Sequence, residues 1–252
     1  LSPERLKNEL VKTRIKEMNI NLITVDEAHC ISEWGHNFRP AYRYISEIRK
    51  LIPDTPVLAL TATATASVID DIQNNLDFKE HNLIKSSFIR GNLSYVVDNI
   101  EDKKSRLLKL VDKIKSSVIV YVGSRKAAKE TTEFLLENKY SANFYHAGLT
   151  AQIRTERQES WTKNQTRIIV ATNAFGIGID KPDVKLVVHM ELPSTIEAYF
   201  QEAGRAGRNG HQAYAFLLAN STDIKKQQDL LKLKKLELLQ RVILVFLLIW
   251  QV

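Results

Sequence analysis

A single cysteine, Cys30, stands in a chain of 252 residues. Neither a disulfide framework nor a cysteine-built zinc site can be made from it, and a reducing, intracellular setting fits best. The first residues, LSPERLKNEL, are charged and hold no apolar signal core, so Leu1 reads as a cut end rather than a leader. Internal repeats and low-complexity blocks are absent. Long apolar runs are also scarce. The longest, VILVFLLIW from Val242 to Trp250, would rise only ~14 Å as a helix, about half of a bilayer core. No membrane partner is expected, and the run itself has no functional reading.

What is present is globular. With 44% hydrophobic residues the chain can bury a core, and its formal charge of +7 favours a polyanionic partner as readily as it makes a solvated basic surface. Short β-branched runs alternate with longer segments of helical period, the pattern of parallel βα units. Strands are expected at 21–26, 57–61, 117–122, 167–172, 185–190 and 213–219, with helices at 125–137, 151–162 and 195–205. The segment 87–95, SFIRGNLSY, breaks the alternation and is expected to join two α/β domains. The expected divisions are 1–90, 91–219 and a tail, 220–252, of uncertain structure.

In open parallel sheets ligands gather at the carboxyl ends of strands. The run 21–25 leads straight into Asp26-Glu27-Ala28-His29. Asp26 can hold Mg²⁺ through its water shell, and Glu27 can orient or deprotonate an attacking water. Taken alone, the tetrad also reads as two solvated acids opening a helix, where the dipole favours them. Its neighbours decide. From Val25 to Ile45 the sequence runs VDEAHCISEWGHNFRPAYRYI, which resembles the second motif of the RecQ family of ATP-dependent DNA helicases together with that family's aromatic-rich loop. Further along come LALTATAT, VIVYVGSRKAAKE, ANFYHAGLT, IIVATNAFGIGIDKPDVKLVVH and QEAGRAGRNG, similar to the family's later motifs and in the same order.

The resemblance implies two RecA-like parallel-sheet domains of the P-loop NTPase helicase type, the first of them incomplete, facing each other across a triphosphate. It implies ATP and Mg²⁺ as cofactors, with Asp26, Glu27, His29, Gln201, Arg205 and Arg208 as the catalytic set. Asp26, Asp180, Arg205 and Arg208 would attend the nucleotide, Asp26 through the Mg²⁺ water shell. Trp34, His36, Phe38 and Arg39 would couple single-stranded DNA to hydrolysis; physically, the aromatic rings offer faces on which any base can stack. Ser124, Arg125, His146 and Thr172 would contact the DNA backbone, and Thr61 and Thr63 would link the two sites. Arg205 and Arg208, three apart, would share a helix face if the helix persists, and so reach one anion. The parent would move 3′ to 5′ on single-stranded DNA and open duplex DNA in repair and recombination, in the cytoplasm at the nucleoid of a bacterium or in a eukaryotic nucleus.

The departures matter too. No G-x-x-x-x-G-K-S/T phosphate loop occurs in the sequence, nor the family's glutamine motif for adenine; both would precede Leu1 in a parent. Without the loop the β- and γ-phosphates lose their main cradle, so this chain alone is expected to hydrolyse ATP weakly or not at all. The family's zinc-binding region would follow the second domain. Two other readings stay open: a nucleic-acid-binding protein that keeps the fold without the chemistry, and an RNA helicase.

Overall fold

A computed structural model describes residues 1–33, 38–62, 64–87, 89–176 and 179–233; side chains at 226 and 229–233 lie outside that description. The chain divides into two units, Leu1–Ser87 and Phe88–Val252. The apolar run 242–250 falls outside the described residues.

The second unit is built on six strands, all parallel. These are β3 (Leu93–Asn99), β4 (Ser117–Tyr121), β5 (Ala142–Tyr145), β6 (Ile168–Ala171), β7 (Val184–His189) and β8 (Ala213–Ala219), in the order β3-β8-β7-β4-β6-β5. Successive residues of a strand point to opposite faces, and the packing follows that alternation. Ile119 and Tyr121 of β4, with Val187 and Leu217, enter one cluster, which α6 (Ala151–Thr162) and α7 (Ile196–Ala203) cover with Trp161, Tyr199 and Ala203. Val118 and Val120, with Val188 and Leu218, enter the other, which α4 (Lys103–Lys113) and α5 (Arg125–Glu137) cover with Leu107, Leu110, Ala128 and Leu135. Burial on both faces is why these strands read as continuous apolar runs.

The first unit holds α1 (Glu9–Glu17), α2 (Arg43–Leu51), α3 (Ala66–Asn75) and a parallel pair, β1 (Ile23–Val25) and β2 (Val57–Ala59), with Ile23 opposite Val57. Its core gathers Val25, Ile31, Ile45, Ile48, Val68, Ile72 and Leu76. Apolar side chains also remain on its surface: Leu10, Met18, Leu22, Leu58 and Leu60 are all exposed.

Two sequence expectations change. The segment 87–95 is not wholly a break, because β3 starts at Leu93 and pairs with β8 from Ala213 onward. The helix expected through Arg205 stops at Ala203, where the N–H of Gly204 closes on Phe200 O. Among the described residues, no helix is long and apolar enough to cross a membrane.

Trp161 is fully buried; its indole N–H donates to Val118 O at 3.3 Å and its ring meets Phe175 edge-on at 5.4 Å. Trp161→Ala is expected to cost about 3–5 kcal/mol, measured as a lower midpoint of urea unfolding.

Candidate functional site

In the first unit the chain turns sharply after β1. Glu27 takes a left-handed backbone, φ 50° and ψ 42°, at the entry to the short 3-10 helix Ala28–Ile31. Strand pairing continues past the strands: Leu60 N–H donates to Val25 O at 2.8 Å and Ala28 N–H to Leu60 O at 2.9 Å. The acidic turn is thereby tied to the segment holding Thr61. His29, 1% exposed, places Nδ1 3.0 Å from Thr61 Oγ1 and 3.4 Å from Glu27 Oε2. Asp26 is exposed, and its Oδ1 accepts the N–H of Glu27 at 2.8 Å. Thr61, His29 and Glu27 therefore form one contact chain; Thr63 lies outside the described residues.

Of the aromatic loop, Trp34 and His36 lie outside the described residues. Phe38 is half-buried beneath the Arg43 guanidinium, 5.3 Å from its ring centroid. Arg39 is exposed and pairs with Glu4 at 2.7 Å, with its guanidinium 5.7 Å over the Tyr42 ring. The Tyr42 hydroxyl donates to Asp26 O at 3.2 Å, a contact the sequence did not suggest.

In the second unit the turns after β4, β5 and β6 carry the expected DNA contacts. Ser124 caps α5, accepting the Ala127 N–H at 3.0 Å. The Gly123 N–H already meets Glu191 Oε1 at 3.1 Å, so a carboxylate sits at the helix entrance where a phosphate was expected. The Arg125 guanidinium lies against Gly148; a Cβ there would come within 2.7 Å of Nη1, so any larger residue would push the guanidinium aside. Beside it, the His146 ring stacks on Phe144 at 5.5 Å. Burial, then the Arg125 and Arg157 charges, hold the His146 pKa below its ordinary value, so the imidazole is neutral near pH 7. Thr172, half-buried, donates its N–H to Tyr145 O at 3.2 Å.

Two arginines escaped the sequence reading. Arg157 donates to Phe144 O at 2.7 Å with its guanidinium 3.8 Å over that ring. Arg154 Nε is buried and meets no partner among the described residues. Their spacing of three on α6 was the available signal.

Arg205 and Arg208 follow the end of α7, so they do not share a helical face as expected. Gly207, at φ 67°, bends the chain between them. They still converge on one segment: Arg205 Nη1 donates to Gly176 O at 2.5 Å, and Arg208 Nη1 to Asp180 Oδ1 at 2.8 Å. Gly176 has φ 142°, and a Cβ on it would fall 2.2 Å from the Arg205 Cζ. Gly178 lies outside the described residues. Gln201 Nε2 is buried without a partner among those described. Arg90 and Asn92 also went unnoticed in the sequence; they donate to Gly207 O at 2.6 and 2.7 Å and brace the arginine turn. Below it, His189 Nε2 lies 2.8 Å from Glu202 Oε2, and the His189 ring stacks on Tyr121 at 5.1 Å.

Among the described residues no group of three or more His, Cys, Asp or Glu could hold a metal. The single exposed carboxylate of Asp26 fits Mg²⁺, which is commonly held by one or two carboxylates with water and substrate phosphates.

A left-handed backbone costs a non-glycine residue about 1 kcal/mol or more. Glu27→Gly is expected to be about 1 kcal/mol more stable than Glu27→Ala, the two variants being compared by urea unfolding so that loss of the carboxylate cancels.

Residues 1–72 match the DEAD/DEAH box helicase family and residues 102–210 the helicase conserved C-terminal domain. Over 238 residues the chain is 41% identical to the probable ATP-dependent DNA helicase RecS of Bacillus subtilis, covering 93% of this chain and 48% of that one. It is 38% identical to the ATP-dependent DNA helicase RecQ of the same organism, covering 98% of this chain and 46% of the relative. The chain thus spans about half the length of these relatives. Among solved structures, S. cerevisiae Dbp5 bound to RNA and ADP BeF3 shares the fold with a TM-score of 0.69 at 20% identity, over 88% of this chain and 60% of that one. Both helicase domain families are thus matched in order, and the relatives to which the chain is similar along nearly its whole length are DNA helicases of the RecQ family.

Proposed function

We propose that the protein carrying this chain is an ATP-dependent DNA helicase that couples nucleotide hydrolysis to 3′ to 5′ movement on single-stranded DNA, opening duplexes in repair and recombination. The observation that carries the reading is the contact chain of Glu27, His29 and Thr61 at the end of β1, followed within one short segment by Phe38 and Arg39. A hydrolytic carboxylate and a base-stacking loop are thereby joined through a few residues.

In this reading Glu27 orients and deprotonates the attacking water, with His29 holding its carboxylate toward Thr61. Asp26 would hold Mg²⁺ through water, and the ion would neutralise charge on the transferring phosphoryl group. Arg205 and Arg208 bear on that same charge, and Gln201 and Asp180 sit beside them. Planar guanidinium groups suit phosphate oxygens better than an ammonium does. Trp34, His36, Phe38 and Arg39 take the bases of the track and Thr63 assists Thr61. Arg125, His146 and Thr172 take its phosphates, and Arg154 and Arg157 extend that basic patch. Ser124 acts through the α5 entrance.

Single-stranded DNA is expected to raise ATP turnover of the full-length gene product strongly, and Phe38→Ala to reduce that stimulated rate roughly tenfold or more, in line with the ~1–3 kcal/mol of one stacked base. Turnover indifferent to DNA overturns the reading. The 252-residue chain by itself, which contains no G-x-x-x-x-G-K-S/T loop, is expected to turn over ATP at or near background in the same assay while still retarding single-stranded DNA at low salt.

A further inference from the structure

Tyr42 lies between two things that the proposed function requires to communicate. Its side chain is 7% exposed, its ring lies under the Arg39 guanidinium at 5.7 Å, and its hydroxyl donates to Asp26 O at 3.2 Å. The acceptor is not incidental. The carbonyl of Asp26 and the N–H of Glu27 belong to one planar peptide unit, and that N–H holds Asp26 Oδ1 at 2.8 Å. Tyr42 thus grips one edge of a plate whose other edge orients the Asp26 carboxylate. Any tilt of the plate also moves the start of Glu27, whose left-handed backbone leaves it little room to compensate.

The other end of the tyrosine is equally constrained. The Arg39 N–H donates to Cys30 O at 2.9 Å, and the Tyr42 N–H donates to Arg39 O at 2.8 Å. The backbone between residues 39 and 42 is therefore fixed, while the Arg39 side chain is exposed and tied only to the half-exposed carboxylate of Glu4. A surface pair of this kind contributes little, so a DNA phosphate can replace Glu4. In that event the Tyr42 ring would lose its cation, and the contact of its hydroxyl with the Asp26 carbonyl would change with it.

We propose that Tyr42 is a positioning residue that transmits the state of Arg39 to the Asp26–Glu27 peptide, so that occupation of the loop by single-stranded DNA resets the acidic pair. The inference rests on the proposed role of that loop and adds the physical link. No other described side chain donates a hydrogen bond to the Asp26 carbonyl.

The test is Tyr42→Phe in the full-length gene product, which keeps the ring and removes only the hydroxyl. Steady-state ATP turnover is measured without DNA and with saturating oligo-dT, beside single-stranded DNA affinity by fluorescence anisotropy and the thermal midpoint. The expected result is a severalfold loss of the DNA-stimulated kcat. Oligo-dT affinity and the thermal midpoint stay near those of the wild type, and the ratio of stimulated to basal turnover falls. If Tyr42→Phe is stimulated as strongly as wild type while Phe38→Ala is not, the inference fails and the proposed function stands. A variant that loses basal and stimulated turnover in equal proportion also overturns it, because Tyr42 is then only a support of the fold. If the wild type shows no stimulation at all, the proposed function fails and takes the inference with it.

Discussion

A parallel sheet buried on both faces leaves its polar chemistry one place to go. In the second unit helices cover both sides of the six strands, and the side chains along β4 are apolar from Val118 through Val120. Charged groups must therefore gather in the turns beyond the strand ends. Those turns carry His146 after β5 and Thr172 after β6, while the arginine turn lies between α7 and β8. In the first unit the same rule puts Asp26 and Glu27 beyond β1, with backbone pairing to Leu60 fixing where the turn begins.

The acidic turn of the first unit and the arginine turn of the second differ in how they are held. The acidic turn depends on a costly backbone at Glu27 and on a nearly inaccessible imidazole, His29, reaching across to Thr61. The arginine turn depends on glycines: Gly207 allows the bend, and Gly176 lets the Arg205 guanidinium approach the main chain closely. In each case local backbone freedom is given up to aim a charged group, the usual relation between strain and function.

Much of this was legible in the sequence, and what was not has a common cause. The runs at 117–122 and 213–219 read as strands because burial on both faces makes them uniformly apolar. Helices α5 and α6 begin where Ser124 and Thr150 cap them, a purely local signal. The end of α7 was overrun by two residues because its stop is a glycine inside a motif whose arginines invite a helical reading. The strand expected to follow the seam begins inside it, at Leu93, because β3 is specified by pairing with β8, more than a hundred residues away. Arg90, Asn92 and Tyr42 were missed for the same reason: their contacts depend on how the chain folds back. Structure carried by contiguous residues could be read; contacts made by distant neighbours could not.

The partners of Arg205 and Arg208 set a threshold for whatever anion they meet. Both guanidinium groups already hold internal acceptors, Gly176 O and Asp180 Oδ1. An incoming ligand gains only the difference between its own hydrogen bonds and those it dislodges. A monovalent anion offers little beyond what Asp180 supplies, whereas a densely charged polyphosphate offers a large excess. In the proposed reading the pair would therefore favour a densely charged ligand, with the buried Arg205 Nε, which meets no partner among the described residues, left to donate to it.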